Sequence, residues 1–484
     1  MMNRRLQIHP ATCYFLLMVV VTLLSWIGNI YGWSALDPST GEMVQVKSLI
    51  SANYIRQFLL NVYSDFANYS SIGMVVICVF AIGVVEHSGL IRAIMQQLFK
   101  GNPSQNFCIT TVVLMGIMSN VMSDMGYILL MPIAVVLFES ARMHPIAGII
   151  TAYLSVACGF SANLFLSTLD PLLAGTTQEA LTMNASVVGH IGPLSNFFFM
   201  FVSTFLIAAI LYVVVRREII PKINKKYGVT SSFATKMLSR KERIALYIAY
   251  GVGAIYLLLI LVITFSPWAI VDGAAGWLSH SPIVTGAVFV ISMGLILMGV
   301  VYGVVMGRYR SDAEVVDGLS HLTRFLAVYL IIAFFAAWMY MGYKYSQLDQ
   351  FTVLTLADNF HFLPDSGWAS LLLFILLTAV ANIFMVSATL KWHYYSFVFV
   401  PLFIHLGVSP DWTQCAYRIG DSLTNAYSPF MIYMPLLFAY MQQYDNKAGF
   451  GVFFKLTWRF SLYLLLAWGL LFSVWYIGNI PLGF

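Results

Sequence analysis

Two stretches of this 484-residue chain carry the same polar punctuation. Asn120, Ser123, Pro132, Pro145, Asn163 and Pro171 find counterparts in Asn382, Ser387, Pro401, Pro410, Asn425 and Pro429, at separations of 258 to 269 residues. The setting is apolar: 60% of residues are hydrophobic and only 9% charged, against about 25% charged in an ordinary soluble domain. In lipid, a break in a helix is tolerated only where protein or a wet cavity satisfies the freed backbone groups. Duplicated breaks of this kind point to a secondary transporter built from two repeats, with its binding site where the copies meet.

Apolar runs of spanning length lie near 11–33, 66–90, 145–172, 193–215, 244–266, 284–306, 323–343, 413–442 and 456–480. Each can supply the ~20 residues that cross a bilayer. The first follows Arg4 and Arg5 and reads as an anchored helix rather than a cleaved signal. Two further runs, 105–138 and 367–403, are interrupted near their middles by Ser119–Asp124 and Ser387–Trp392. A continuous span would leave Asp124 or Lys391 mid-bilayer without a partner, so both runs read as re-entrant hairpins with polar tips. Loop charge agrees with that count. Arg4, Arg5, Arg92, Lys100, Arg142, the basic loop 216–243, Arg308, Arg310, Lys447 and Lys455 all fall on one side. Asp349, Asp358, Asp365 and Asp411 fall on the other. Under the positive-inside rule the N-terminus is cytoplasmic and the C-terminus periplasmic.

The predicted fold class is therefore an all-α polytopic membrane protein with nine transmembrane helices and two opposed re-entrant hairpins in an inverted repeat. Residues 1–484 form a single transporter domain. Repeat 1 covers about 66–215 with its hairpin at 105–138, and repeat 2 covers about 323–480 with its hairpin at 367–403; a cytoplasmic loop, 216–243, separates them.

Charge and polarity inside the apolar segments mark the candidate site. Gly159, Ser161 and Asn163 weaken helical geometry, and Pro171 removes a backbone donor. The oxygens so freed suit a small cation, so Na⁺ near Asn163 or Asn425 is one expectation. Asp170 either supplies charge to that site or caps a short helix. Arg418 and Asp421, three apart, share a helix face, and must pair or face a wet cavity. Arg418 suits a carboxylate ligand because its guanidinium binds bidentately. Asp170, Asp421, Asn163 and Asn425 are the candidates for ion coupling, with H⁺ or Na⁺ as the coupling ion and no other cofactor. At the hairpin tips, Ser123 and Asp124 mirror Ser387 and Thr389; Asp124 either caps its tip or lines the cavity. Trp392 either stacks on a flat aromatic substrate or belongs to an interfacial belt, and Lys391 is read as snorkelling to the surface. The cysteines show no paired or metal-ligand spacing.

Four segments carry a resemblance: Ser123–Tyr127, Gly159–Asn163, Thr168–Gly175 and Tyr417–Asn425. With them, nearly the whole chain resembles the p-aminobenzoyl-glutamate transporter (AbgT) family. The resemblance implies a dimeric inner-membrane protein driven by an ion gradient. It implies p-aminobenzoyl-glutamate, a folate catabolite, as the anionic substrate and export of sulfonamide antimetabolites as a further activity. It carries substrate-binding roles onto Asp170, Thr389, Trp392, Pro410, Arg418 and Asp421. One departure bears on substrate range: the family's second tip usually reads Ser-Ala/Gly-Ser-Ala before Lys-Trp, whereas here it reads Ser387-Ala388-Thr389-Leu390. Within transporters, a Na⁺- or H⁺-coupled dicarboxylate or anion symporter is the alternative.

An intramembrane enzyme is the rival from another class, and the motifs disfavour it. Gly420-Asp421 lacks the preceding Gly-x of an aspartyl protease, Tyr444-Asp445 lies in a polar loop, and there is no His-Glu-x-x-His. The excess of Lys and Arg belongs to cytoplasmic loops and does not indicate a nucleic-acid partner.

Overall fold

The long apolar runs form helices, because a helix satisfies its backbone N–H and C=O groups within its own segment. The computed structural model describes residues 8–69, 72–98, 103–120, 125–167, 169–183, 191–228, 238–265, 286–358, 364 and 366–484. In the first half the helices are α1 (Pro10–Ile30), α2 (Ala52–Ala67), α3 (Ile72–Ser88), α4 (Leu90–Leu98), α5 (Gln105–Ser119), α6 (Met125–Ser140), α7 (Pro145–Cys158), α8 (Leu169–Met183) and α9 (Phe197–Val214). A π-turn carries α9 into α10 (Ile220–Tyr227), so helix continues into what the sequence suggests is loop. There follow α11 (Arg240–Phe265), α12 (Ala287–Met306), α13 (Asp312–Leu319), α14 (Thr323–Tyr345), α15 (Leu348–Asp358), α16 (Gly367–Phe384), α17 (Ala388–His405), α18 (Pro410–Thr424), α19 (Met434–Gln442) and α20 (Phe450–Ile477). Among the described residues, eight helices are long and apolar enough to cross a membrane.

Two further features depart from the sequence reading. A short antiparallel hairpin, β1 (Ser34–Leu36) with β2 (Met43–Gln45), sits in the first long loop. The intervening turn is built by Asp37, whose Oδ1 accepts from the Ser39 amide and hydroxyl, and by Gly41 at φ +73°. The runs at 145–172 and 413–442, expected to span, are each interrupted. α7 has 14 residues and α18 has 15, so each is only about 21–23 Å long and stops short of the ~30 Å hydrocarbon core.

α7 and α18 are the centre of the protein. Every residue of α7 is buried, as is α18 from Thr413 to Leu423. Glycine lets the neighbouring helices approach closely. A Cβ on Gly148 of α7 would lie 2.6 Å from the Ala134 oxygen of α6, and one on Gly420 of α18 would lie 2.5 Å from the Ile375 oxygen of α16.

The duplicated positions occupy equivalent places. Pro145 and Pro410 begin α7 and α18, and Pro132 and Pro401 lie inside α6 and α17. Asn120 donates to the Val156 oxygen of α7 at 3.1 Å, and Asn382 donates to the Asp421 oxygen of α18 at 2.6 Å. Contacts are reciprocal as well: α8 packs on α17, and α19 packs on α6.

The α5/α6 and α16/α17 pairs each return to the level where they began. Gln105 at the start of α5 donates to the Ala141 oxygen just past α6 at 3.4 Å. Gly367 at the start of α16 lies against Val408 beyond α17, and Phe374 meets Phe399 at 4.4 Å between the pair. α9 meets the start of the first pair at its C-terminal end and the start of α18 at its N-terminal end. Arg216, beyond its C-terminus, bonds Gln105, whereas its N-cap Asn196 bonds the Asp411 oxygen at 3.0 Å.

Candidate functional site

The second helix pair turns at Met385–Ser387, where the backbone leaves helical geometry and α17 starts afresh. Facing this turn are the two interruptions, one between α7 and α8 and the other around Asn425–Tyr433. A cavity of about 290 Å³ lies among them. Ser387, Thr389 and Asn425 line it, as do Phe160 from the first interruption, Leu169 at the start of α8, Lys344 in the last turn of α14 and Asp349 in the first turn of α15. Its walls are largely aromatic. Tyr343 stacks on Phe430 with ring centres 4.0 Å apart, and Tyr127 stacks on Tyr433 at 4.6 Å.

Behind this wall stand two buried ion pairs. Arg418 Nη1 meets Asp170 Oδ1 at 2.7 Å, and Nη2 donates to the Ser161 oxygen at 2.9 Å. The other Asp170 oxygen accepts from the Ser167 amide at 2.6 Å and its hydroxyl at 2.9 Å. That is the capping-box spacing at the start of α8. Asp170 thus takes the capping place expected of it, and its second oxygen is engaged by Arg418.

The second pair corrects two expectations. Lys391 does not snorkel. It is fully buried, with Nζ 2.6 Å from Asp421 Oδ1, 2.5 Å from Asn382 Oδ1 and 3.1 Å from the Met385 oxygen. Three oxygens replace the water that its ammonium would otherwise need. Nor do Arg418 and Asp421 pair with one another. They share a buried stretch of α18, but Arg418 is held by the first half of the chain and Asp421 by α17.

Trp392 is fully buried too. Its indole N–H bonds Thr177 Oγ1 at 2.9 Å and the Leu173 oxygen at 3.2 Å, and its ring lies 4.5 Å from that of Tyr417. It therefore fastens α17 to α8 and does not line the cavity. Pro410 starts α18 at the end opposite Asn425, about 22 Å from the cavity by helix length. Asn425 Nδ2 reaches the Ala157 oxygen at 3.3 Å, and its Oδ1 accepts from Asn382 at 2.9 Å. Asn163 is buried with both side-chain polar atoms unpartnered, as is the Ser161 hydroxyl. Ser123 and Asp124 lie outside the described residues.

Of the residues expected from sequence, the cavity thus takes Ser387, Thr389 and Asn425, whereas Asp170, Trp392, Arg418 and Asp421 form its support. Sequence reasoning missed Tyr127, Tyr343, Phe430, Tyr433 and Lys344. Tyr and Phe are common throughout the chain, and a Lys near the end of an apolar helix usually marks only the membrane boundary.

The AbgT putative transporter family matches residues 5–484, essentially the whole chain. The chain belongs to this family. The p-aminobenzoyl-glutamate transport protein of Escherichia coli K12 is 26% identical over 480 residues, covering 98% of this chain and 93% of the relative. Among solved structures, the Alcanivorax borkumensis YdaH transporter, described as having an unusual topology, is 30% identical with a TM-score of 0.51, covering 98% of this chain and 100% of its own. Neisseria gonorrhoeae MtrF, described as illuminating a class of antimetabolite efflux pumps, is also 30% identical, with a TM-score of 0.50 and coverages of 97% and 96%. The chain is thus a nearly all-helical, multi-pass membrane transporter of the AbgT family.

Proposed function

We propose that the chain carries p-aminobenzoyl-glutamate or a related folate catabolite across a bacterial inner membrane by alternating access, with sulfonamide antimetabolites as further cargo. The observation that carries this reading is the position of the cavity. It lies where the turn between α16 and α17 meets both interrupted helices, with aromatic walls and tip hydroxyls from Ser387 and Thr389. Aromatic faces suit a benzoyl ring, and the hydroxyls and the start of α17 suit an anionic group. The name of the Escherichia coli relative supports the catabolite, and the description of MtrF supports the antimetabolites.

In this reading the α5/α6 and α16/α17 pairs are re-entrant hairpins, and each interrupted pair, α7/α8 and α18/α19, counts as one of nine crossings. The contact of one end of α9 with the start of the first hairpin, and of its other end with the α18 start that follows the second hairpin, supports opposed insertion. The equivalent placing of the duplicated prolines and asparagines supports an inverted repeat of about 66–215 and 323–480. Loop charge supports a cytoplasmic N-terminus and a periplasmic C-terminus. The protein works as a homodimer and catalyses no reaction. A gradient of H⁺ or Na⁺ drives it. Buried carboxylates at Asp170 and Asp421 serve H⁺, and the unpartnered Asn163 and Ser161 atoms serve Na⁺.

Purified protein in proteoliposomes, given labelled p-aminobenzoyl-glutamate and an imposed pH or Na⁺ gradient of either sign, tests the reading. Gradient-dependent movement is expected. Transport of simple dicarboxylates with no movement of the aromatic conjugate would replace it with a dicarboxylate symporter.

A further inference from the structure

We propose that Lys344 is the residue that receives a carboxylate of the cargo, with Asp349 fixing its position, so that the cavity selects aromatic anions over neutral aromatic compounds. This rests on the cargo class proposed above. Among the described residues lining the cavity, Lys344 alone is a Lys or Arg. Arg418 and Lys391 lie behind the wall, each already neutralised by a carboxylate. The Lys344–Asp349 pair is different because it is lopsided. Nζ lies 2.6 Å from Asp349 Oδ2, yet the Lys344 side chain is 31% exposed and that of Asp349 only 1%.

Both residues line the cavity, but the ammonium is the accessible end of the pair and the carboxylate is almost wholly covered. Asp349 takes one of the three ammonium protons, and the others can serve a ligand. The surroundings fit the same ligand. Tyr343, stacked on Phe430, lines the cavity beside Lys344, and the Tyr340 ring lies 5.9 Å from Nζ. A ring between the aromatic walls with its carboxylate at Lys344 uses both features. A carboxylate also gains from a charge-assisted bond in a partly desolvated site. A boundary lysine with no binding role would not need an anchoring carboxylate buried beneath it.

The test compares wild type, Lys344→Met and Lys344→Arg in proteoliposomes, with labelled p-aminobenzoyl-glutamate as cargo and an uncharged aryl amide as competitor. Monodispersity and melting temperature verify each variant. Lys344→Met should raise KM about tenfold to a hundredfold with little change in maximal rate, as expected for loss of a bond to a charged group. Lys344→Arg should stay within about threefold, because charge is kept. The aryl amide should inhibit wild type and Lys344→Met equally. An unchanged KM in Lys344→Met, or an equal loss for the neutral competitor, overturns the assignment of Lys344 and leaves the cargo reading standing. If wild type neither transports nor is thermally stabilised by p-aminobenzoyl-glutamate, the cargo reading fails and this inference fails with it.

Discussion

Lys391→Met isolates the most consequential buried charge in the structure. The substitution keeps the apolar stem of the side chain and removes the ammonium. It leaves the Asp421 carboxylate without its partner at 2.6 Å, while its other oxygen, Oδ2, already has none. It also deprives Asn382 Oδ1 and the Met385 oxygen of a donor. Removing one member of a buried pair costs about 3–5 kcal/mol, and each orphaned acceptor about 1–3 kcal/mol more. Protonation of Asp421 relieves part of this, so a net loss of about 3–5 kcal/mol is expected. Asp421→Asn alone strands the ammonium and should cost a similar amount. The double variant removes both charges and lets residue 421 donate toward Asn382, so it should be less damaged than either single variant. Reversible unfolding in mixed micelles measures all four proteins. A coupling of at least about 2 kcal/mol is predicted, and additivity within about 0.5 kcal/mol would refute the reasoning.

Three further predictions probe other fastenings of the fold. Trp392→Phe loses the bonds to Thr177 and Leu173 and should cost about 1–3 kcal/mol of stability with KM unchanged; a large rise in KM at unchanged stability would put the indole against the cargo instead. Gly420→Ala places a methyl 2.5 Å from the Ile375 oxygen, so a lower melting temperature corresponding to about 1–3 kcal/mol is expected, and an unchanged melting curve counts against the close approach. Burial pushes the Asp445 carboxyl up, but the Tyr227 hydroxyl, the Lys447 amide and Lys226 outweigh it and hold it below its ordinary value of 3.8. A carboxyl depressed by folding contributes stability above its unfolded value and loses it as pH falls through the folded one. Hydrogen exchange in 443–448, corrected for intrinsic rate, should therefore accelerate below about pH 3.8 in wild type and be fast throughout in Asp445→Asn; matching profiles would exclude the tie.

Much of the frame was legible because breaks in apolar helices cannot be placed at random. Pro145 and Pro410 at helix starts, and Asn120 and Asn382 against the neighbouring short helices, stand where the duplicated pattern implied. The interruptions after Cys158 and Thr424 were foreshadowed by Gly159, Ser161 and Pro429, although runs of apolar residues on either side made each look like one span. The partners of the charges were not legible. The spacing of Arg418 and Asp421 fixes a shared face, but which helix meets that face depends on packing between residues more than two hundred positions apart, as Arg418 with Asp170 shows. A lysine stem reaches inward as readily as outward, so Lys391 could be placed only once α18 was seen beside it.

The buried bonds around α18 have a mechanical consequence. Arg418 is tied to Asp170 and Ser161, Trp392 to Thr177 and Leu173, and Lys391 to Asp421. Together these rivet α8, α17 and α18 into one block. Any motion that shears the block open must break two ion pairs sealed away from water, at several kcal/mol each. Protonation of Asp170 or Asp421 would loosen a rivet; while both carboxylates stay charged, the block holds and motion has to slide elsewhere. The unbonded ring faces of Tyr343 on Phe430, where α14 meets the loop before α19, offer that slip plane.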